Sequence, residues 1–166
     1  MLVLPALRDG DMYKAAVRAL LRYSIRRLNQ GDYSLLLRMA CPDLELVFPG
    51  ENSWSSMFRP PSPGRHPHST HRGIDEVKAF ADRFVAEGVQ FDIEDILVNG
   101  GPWHTRIAVR AHNYIPDPGG GSDFYANRAV LFLEIRWGRL VRWEDYEDTE
   151  RVSALDRAIA GQPSPA

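Results

Sequence analysis

The sequence predicts an α+β fold, with helices gathered in its first half and antiparallel strands in its second. Three observations carry this reading. Apolar residues recur at helical spacing from Asp11 to Gln30 and again from Ile74 to Glu87. Long alternating segments then succeed one another from Val89 to Asp148. The breaks between those segments are rich in glycine and proline. Helices followed by a run of strands give a sheet backed by helices, not a doubly wound parallel sheet.

Ala16, Leu20, Leu21, Ile25 and Leu28 form the apolar stripe of the first helix, with arginines among the remaining positions. Asn29-Gln30-Gly31 ends it, since glycine takes a left-handed conformation at little steric cost. Asp32 is placed to cap a second, short helix running through Leu35 to Met39 and stopped by Pro42. Leu44 to Phe48 alternates as a short strand, ended by Pro49-Gly50. Residues 51–72 carry Pro60, Pro61, Pro63 and Pro67 with three histidines, and read as one long irregular loop. Ile74, Val77, Phe80, Ala81, Phe84 and Val85 share the face of a third helix. Strands are then expected at 89–98, 103–115, 123–137 and 140–148. Thr149 is placed to cap a last helix reaching about Ile159. Residues 11–159 are expected to form a single domain, with 1–10 a flexible arm and 160–166 a disordered tail.

The bulk chemistry narrows the function classes. A net charge of −2 gives no reason to expect nucleic acid or a membrane as an obligatory partner. Cys41 is the single cysteine, so neither an internal disulfide nor a cysteine-rich metal site is available. Met1–Leu7 is too short for a signal-peptide core, which makes a cytoplasmic protein the expectation. His66, His68 and His71 are unevenly spaced among prolines, with no carboxylate in ligand register, and no metal is expected there. There is no phosphate-binding glycine loop, because Gly119-Gly120-Gly121 leads into a strand rather than a helix.

The segment Gly138-Arg-Leu-Val-Arg-Trp-Glu-Asp-Tyr-Glu-Asp-Thr149 resembles the ending of SnoaL-like proteins and limonene-epoxide hydrolase. Phe48-Pro-Gly-Glu-Asn-Ser-Trp54 and Tyr125-Ala-Asn-Arg128 also resemble SnoaL-like sequences. The order of elements agrees, and the resemblance spans roughly 12–158. It is to the SnoaL-like and ketosteroid-isomerase-like group of the nuclear-transport-factor-two-like superfamily. It implies a cone-shaped α+β barrel, a curved sheet wrapped around the three early helices, with an apolar pocket inside. It also implies chemistry without a cofactor, and a homodimer. The superfamily hosts isomerases, cyclases, hydrolases, dehydratases and binding subunits, so the fold alone does not name a reaction.

Strand parity selects the site residues. Val141, Trp143, Asp145 and Glu147 share one face of the last strand, apolar at its start and acidic at its end. By resemblance, Asp145 matches the water-activating aspartate of the epoxide hydrolases, and a desolvated carboxylate is a stronger base. On the middle strand the resemblance turns Arg106, Arg110 and His112 inward, His112 being the second catalytic candidate. Simple burial favours the opposite parity, with Ile107, Val109 and Ala111 inward and the arginines in water. Both assignments stay open from sequence. Asn127 and Leu131 share a face of the next strand, where Asn127 could donate to a ligand carbonyl. Phe48, Trp54, Trp143, Leu131 and Glu147 complete the expected lining. The hydrolase's second acid position is Ala108, and Leu46 and Phe48 stand where its water-holding groups belong, so epoxide hydrolysis is not expected.

Two functions remain in play. One is a SnoaL-like enzyme moving a proton beside the carbonyl of an apolar polyketide-, steroid- or terpenoid-like molecule. In it Asp145 is the base, Asn127 or Arg106 stabilises the enolate, and His112 returns the proton. The other is a non-catalytic ligand-binding or dimerisation module.

Overall fold

The computed structural model describes residues 9–64 and 68–161. The expected N-terminal arm and C-terminal tail fall almost wholly outside them. The elements in chain order are α1 (Asp9–Asn29), α2 (Ser34–Met39), β1 (Ala40–Pro49), β2 (His68–Arg72) and α3 (Gly73–Ala86). They continue with β3 (Gln90–Gly101), β4 (His104–Ile115), β5 (Tyr125–Arg136), β6 (Arg139–Glu147) and α4 (Thr149–Ala160). One six-stranded sheet runs in the order β2-β1-β6-β5-β4-β3, antiparallel throughout except for the β1–β6 pair.

Helices α1 and α3 cover the inner face of this sheet. The α3 stripe buries Val77, Phe80, Ala81 and Phe84. Asn29 pins the end of α1 to β3, its amide donating to Phe91 O at 2.8 Å and its oxygen accepting from Phe91 N at 3.0 Å. Each inner row of the sheet crosses three strands. Ile107, Leu133 and Trp143 form one row, Val109, Leu131 and Asp145 the next, and Ala111, Ala129 and Glu147 the third. Asn113 faces Asn127 beyond them.

Four local expectations change. Residues 68–72, expected to be loop, form β2 against β1, with Leu46 opposite His71. The segment His-Ser-Thr-His-Arg offers no apolar signal; backbone pairing at a sheet edge holds it. The α4 cap is Asp148 instead of Thr149, its carboxylate accepting from Glu150 N at 3.1 Å and Arg151 N at 3.4 Å. Asp32 lies one residue before the Tyr33 cap position of α2, although its carboxylate accepts from Ser34 N at 2.9 Å.

Two bulges reset strand parity, the fourth change. In β3 the pairing slips between Ile93 and Asp95, so the inner face passes from Phe91 to Ile96 and Val98, leaving Leu97 outside. In β6 it slips after Leu140, which is therefore buried together with Trp143 and Asp145. An extra residue on one strand sends every later side chain to the opposite face.

Candidate active site

Asp145 stands on the inner face of β6, 5 % exposed, with Oδ1 fully buried and, among the described residues, without a hydrogen-bond partner. It lines a half-open cavity of about 30 Å³, whose walls come from every layer. Phe48 of β1, Trp54 from the following loop, Phe80 and Phe84 of α3, Phe91 of β3 and Leu155 of α4 line it. Asn113, Tyr125 and Glu147 supply the other polar groups of the lining.

The acidic pair is organised by amides. Glu147 follows Asp145 by two residues and so shares its face. The small side chains of Ala111 and Ala129 in its row leave it room. Its carboxylate accepts from Asn113 Nδ2 at 2.9 Å and Asn127 Nδ2 at 3.4 Å. Asn127 Nδ2 also lies 2.9 Å from the Tyr125 hydroxyl oxygen and 3.0 Å from Asp148 O. Burial first, and then the Glu147 charge, hold the Asp145 carboxyl well above the usual carboxylate range. Burial likewise raises Glu147, against the opposing pull of the Asn113 bond. The Tyr125 phenol is pushed up by burial and by Glu147, and keeps its proton at neutral pH. An aromatic chamber with a proton-hungry carboxylate at its wall suits proton transfer on a small apolar molecule.

The Trp54 side of the cavity is held by its surroundings. Trp54 is fixed by Asn52 Oδ1, which accepts from its backbone N at 3.0 Å. Its carbonyl pairs with His71 Nε2 at 3.0 Å, and Arg83 stacks over its indole at 4.1 Å. His71 is completely buried among Phe48, Phe58 and Phe80, and burial lowers its pKa, so it sits there as a neutral core residue.

The expected site residues divide. Phe48, Trp54 and Glu147 line the same cavity as Asp145. Asn127 is buried behind it, its amide already engaged, and so is not free to hold a carbonyl. Leu131 is buried in the row of Val109 and Asp145 without lining the cavity, and Trp143 instead lines a second, apolar cavity of about 180 Å³ beneath α1. Arg106, Arg110 and His112 lie on the outer face of the sheet, away from Asp145. The burial pattern of β4 is the reason: Ile107, Val109 and Ala111 fill the core. Glu94, the extra residue of the β3 bulge, takes Arg110 Nε at 2.7 Å and His112 Nε2 at 2.5 Å. None of the three lines the Asp145 cavity; Arg110 and His112 line an open hollow of about 800 Å³ with Asn127 and Glu147, and Arg106 lines a separate one beside Leu97 and Phe132. Asn113 and Tyr125 were not singled out from sequence as site residues; carrying the apolar parity of β4 two residues past Ala111 finds Asn113.

The sequence profile of the SnoaL-like domain matches residues 20–143. The chain belongs to the SnoaL-like domain family. Solved structures agree on the fold of this SnoaL-like chain. An NTF2-like protein of unknown function from Burkholderia pseudomallei K96243 superposes with a TM-score of 0.60 at 22% identity, covering 82% of this chain and 93% of that one. TerC co-crystallised with polyporic acid gives 0.62 at 20%, with 85% and 97% covered. A candidate SnoaL-like polyketide cyclase from Jannaschia sp. CCS1 gives 0.58 at 14%, with 95% and 100% covered. At these identities the likeness concerns the cone-shaped fold alone. No curated protein sequence matches the chain.

Proposed function

We propose that this SnoaL-like chain is a cofactor-independent acid–base enzyme of the polyketide-cyclase type, acting on a small, largely apolar molecule. The observation that carries the proposal is Asp145: a buried carboxylate with a free Oδ1, standing in an aromatic cavity. Burying a carboxylate without a partner costs stability, and a fold retains one most readily where the group has chemistry to do. In this reading Asp145 removes a proton from a carbon next to a carbonyl. The Tyr125 hydroxyl, whose oxygen already faces Asn127, donates to the oxygen that gains charge. Glu147 holds the second carboxyl of the pair and keeps Asp145 basic. A cytoplasmic setting belongs to the same proposal; among the described residues no helix is long and apolar enough to cross a membrane.

The test is a screen of polycyclic and terpenoid ketones for cyclisation, isomerisation or dehydration, followed by Asp145→Asn on any substrate found. Loss of the base is expected to lower the rate by roughly 10²–10⁴-fold. Full turnover by the variant would remove Asp145 from the mechanism.

One observation favours a second reading, in which the cone is a non-catalytic module. The cavity beside Asp145, about 30 Å³, holds little more than one water, so a substrate must displace part of its wall. For that reading the outer face of the sheet matters more. Leu97, Val130, Phe132 and Tyr146 are exposed there, Phe132 and Tyr146 in edge-to-face contact at 6.1 Å. We assign this face to a second copy of the chain. Its arginines and glutamates, of both signs on one surface, suit a self-complementary two-fold contact.

A further inference from the structure

The hydrogen-bond accounting around Asp145 is lopsided. Asp145 Oδ1 and Asn113 Oδ1 are both fully buried acceptors with no donor among the described residues. Both residues are more than nine-tenths buried, and both line the same cavity. The nearby amide donors are already engaged: Asn113 Nδ2 serves Glu147, and Asn127 Nδ2 is shared among Tyr125, Glu147 and Asp148. Buried acceptors of this kind select for a partner that brings protons, just as unpaired donors select for one that brings lone pairs.

We infer that the cavity recognises a ligand that donates hydrogen bonds, a ring compound bearing neighbouring hydroxyl groups, with one hydroxyl for Asp145 Oδ1 and one for Asn113 Oδ1. This rests on the proposed role of the Asp145 cavity as the ligand site, and it names the substrate class more narrowly. A simple ketone answers none of the unpaired acceptors; its oxygen finds only the Tyr125 hydroxyl. The substrate therefore carries hydroxyl or enol groups beside the reacting carbonyl. The small space next to Asp145 admits the hydroxyl-bearing edge, and the ring takes its place against Phe48, Phe91 and Trp54 by displacing part of that wall. The aromatic walls suit a flat ring, which stacks on them edge-on or offset.

The experiment is isothermal titration calorimetry of the full chain with three probes of similar size: catechol, its dimethyl ether veratrole, and acetophenone. Catechol is expected to bind at least about 100-fold more tightly than either of the others, because each rejected probe leaves buried acceptors unpaired. Asn113→Leu and, separately, Asp145→Leu are expected to cut that preference to under about tenfold, at unchanged far-ultraviolet circular dichroism. If either variant fails to fold, the three-probe comparison on the wild-type chain decides alone. Equal binding of veratrole or acetophenone overturns the inference, and is the result expected if Asp145 carries its own proton and donates it to Asn113. Absence of catechol binding up to its solubility also overturns it. Calorimetry reads no turnover, so the two ideas fail separately. Full activity of Asp145→Asn would sink the enzyme proposal and leave a catechol preference standing, whereas equal binding of the ether would sink the preference and leave proton transfer untouched.

Discussion

Asp145 is where stability and chemistry pull in opposite directions. Its unfolded-state carboxyl titrates near the ordinary aspartate value of about 3.9, and its folded-state value is raised by burial and by Glu147. Between the two, the folded chain binds a proton that the unfolded chain has lost, so stability falls as pH rises across that window. Below it both states are protonated and the penalty is absent. Asp145→Asn removes the charge at nearly constant shape. The variant is expected to be more stable than wild type by about 1–3 kcal/mol at pH 8 and no more stable below pH 4, measured by urea denaturation. A variant equally stable or weaker at pH 8 would mean that the charge is compensated in the fold. Catalysis by the carboxylate has the opposite dependence, since the base is available only above its raised pKa. His112, half-exposed and paired with Glu94, belongs to the surface.

At the scale of elements, what was legible in the sequence followed from periodicity. The α3 stripe and the four late strands were readable because each repeats its apolar residues over two or more turns or pleats; α4 was placed by a cap expected at Thr149, one residue from the Asp148 that serves. Strand β2 was not, since His68–Arg72 carries only polar side chains and owes its place to backbone bonds with β1. Asp145 and Glu147 were found because β6 keeps strict alternation from Trp143 onward. The β4 face was left open because the family resemblance and the burial of apolar residues pointed opposite ways; in the structure Ile107 and Val109, each 1 % exposed, decide for burial. The bulges at Glu94 and Val141 leave no mark that alternation can read, yet they set which of Ile96 and Leu97, or of Leu140 and Val141, enters the core. Residues that meet across strands and helices, such as Asn113, Tyr125, Phe84 and Leu155, share a cavity that no local pattern announces.

The whole molecule is a curved sheet with two dissimilar faces. The inner one carries the core and the acidic pair; the outer one carries charges of both signs around Leu97, Val130, Phe132 and Tyr146. An exposed apolar patch ringed by charge marks a contact surface. Phe132→Glu is expected to convert a dimer to a monomer in light scattering coupled to size-exclusion chromatography, with the fold intact; a wild-type monomer at the same concentration would remove the assignment. The proposed function depends on the other face, and on one property of it. The measurement that reaches it most directly is a carbon-detected NMR titration of the Asp145 and Glu147 carboxyl groups. Both midpoints are expected above the ordinary carboxylate range, Asp145 most of all, with each group's curve distorted by the other's. An Asp145 midpoint near 4 would mean that the carboxylate is ionised and satisfied in the fold, and would contradict an acid–base site there.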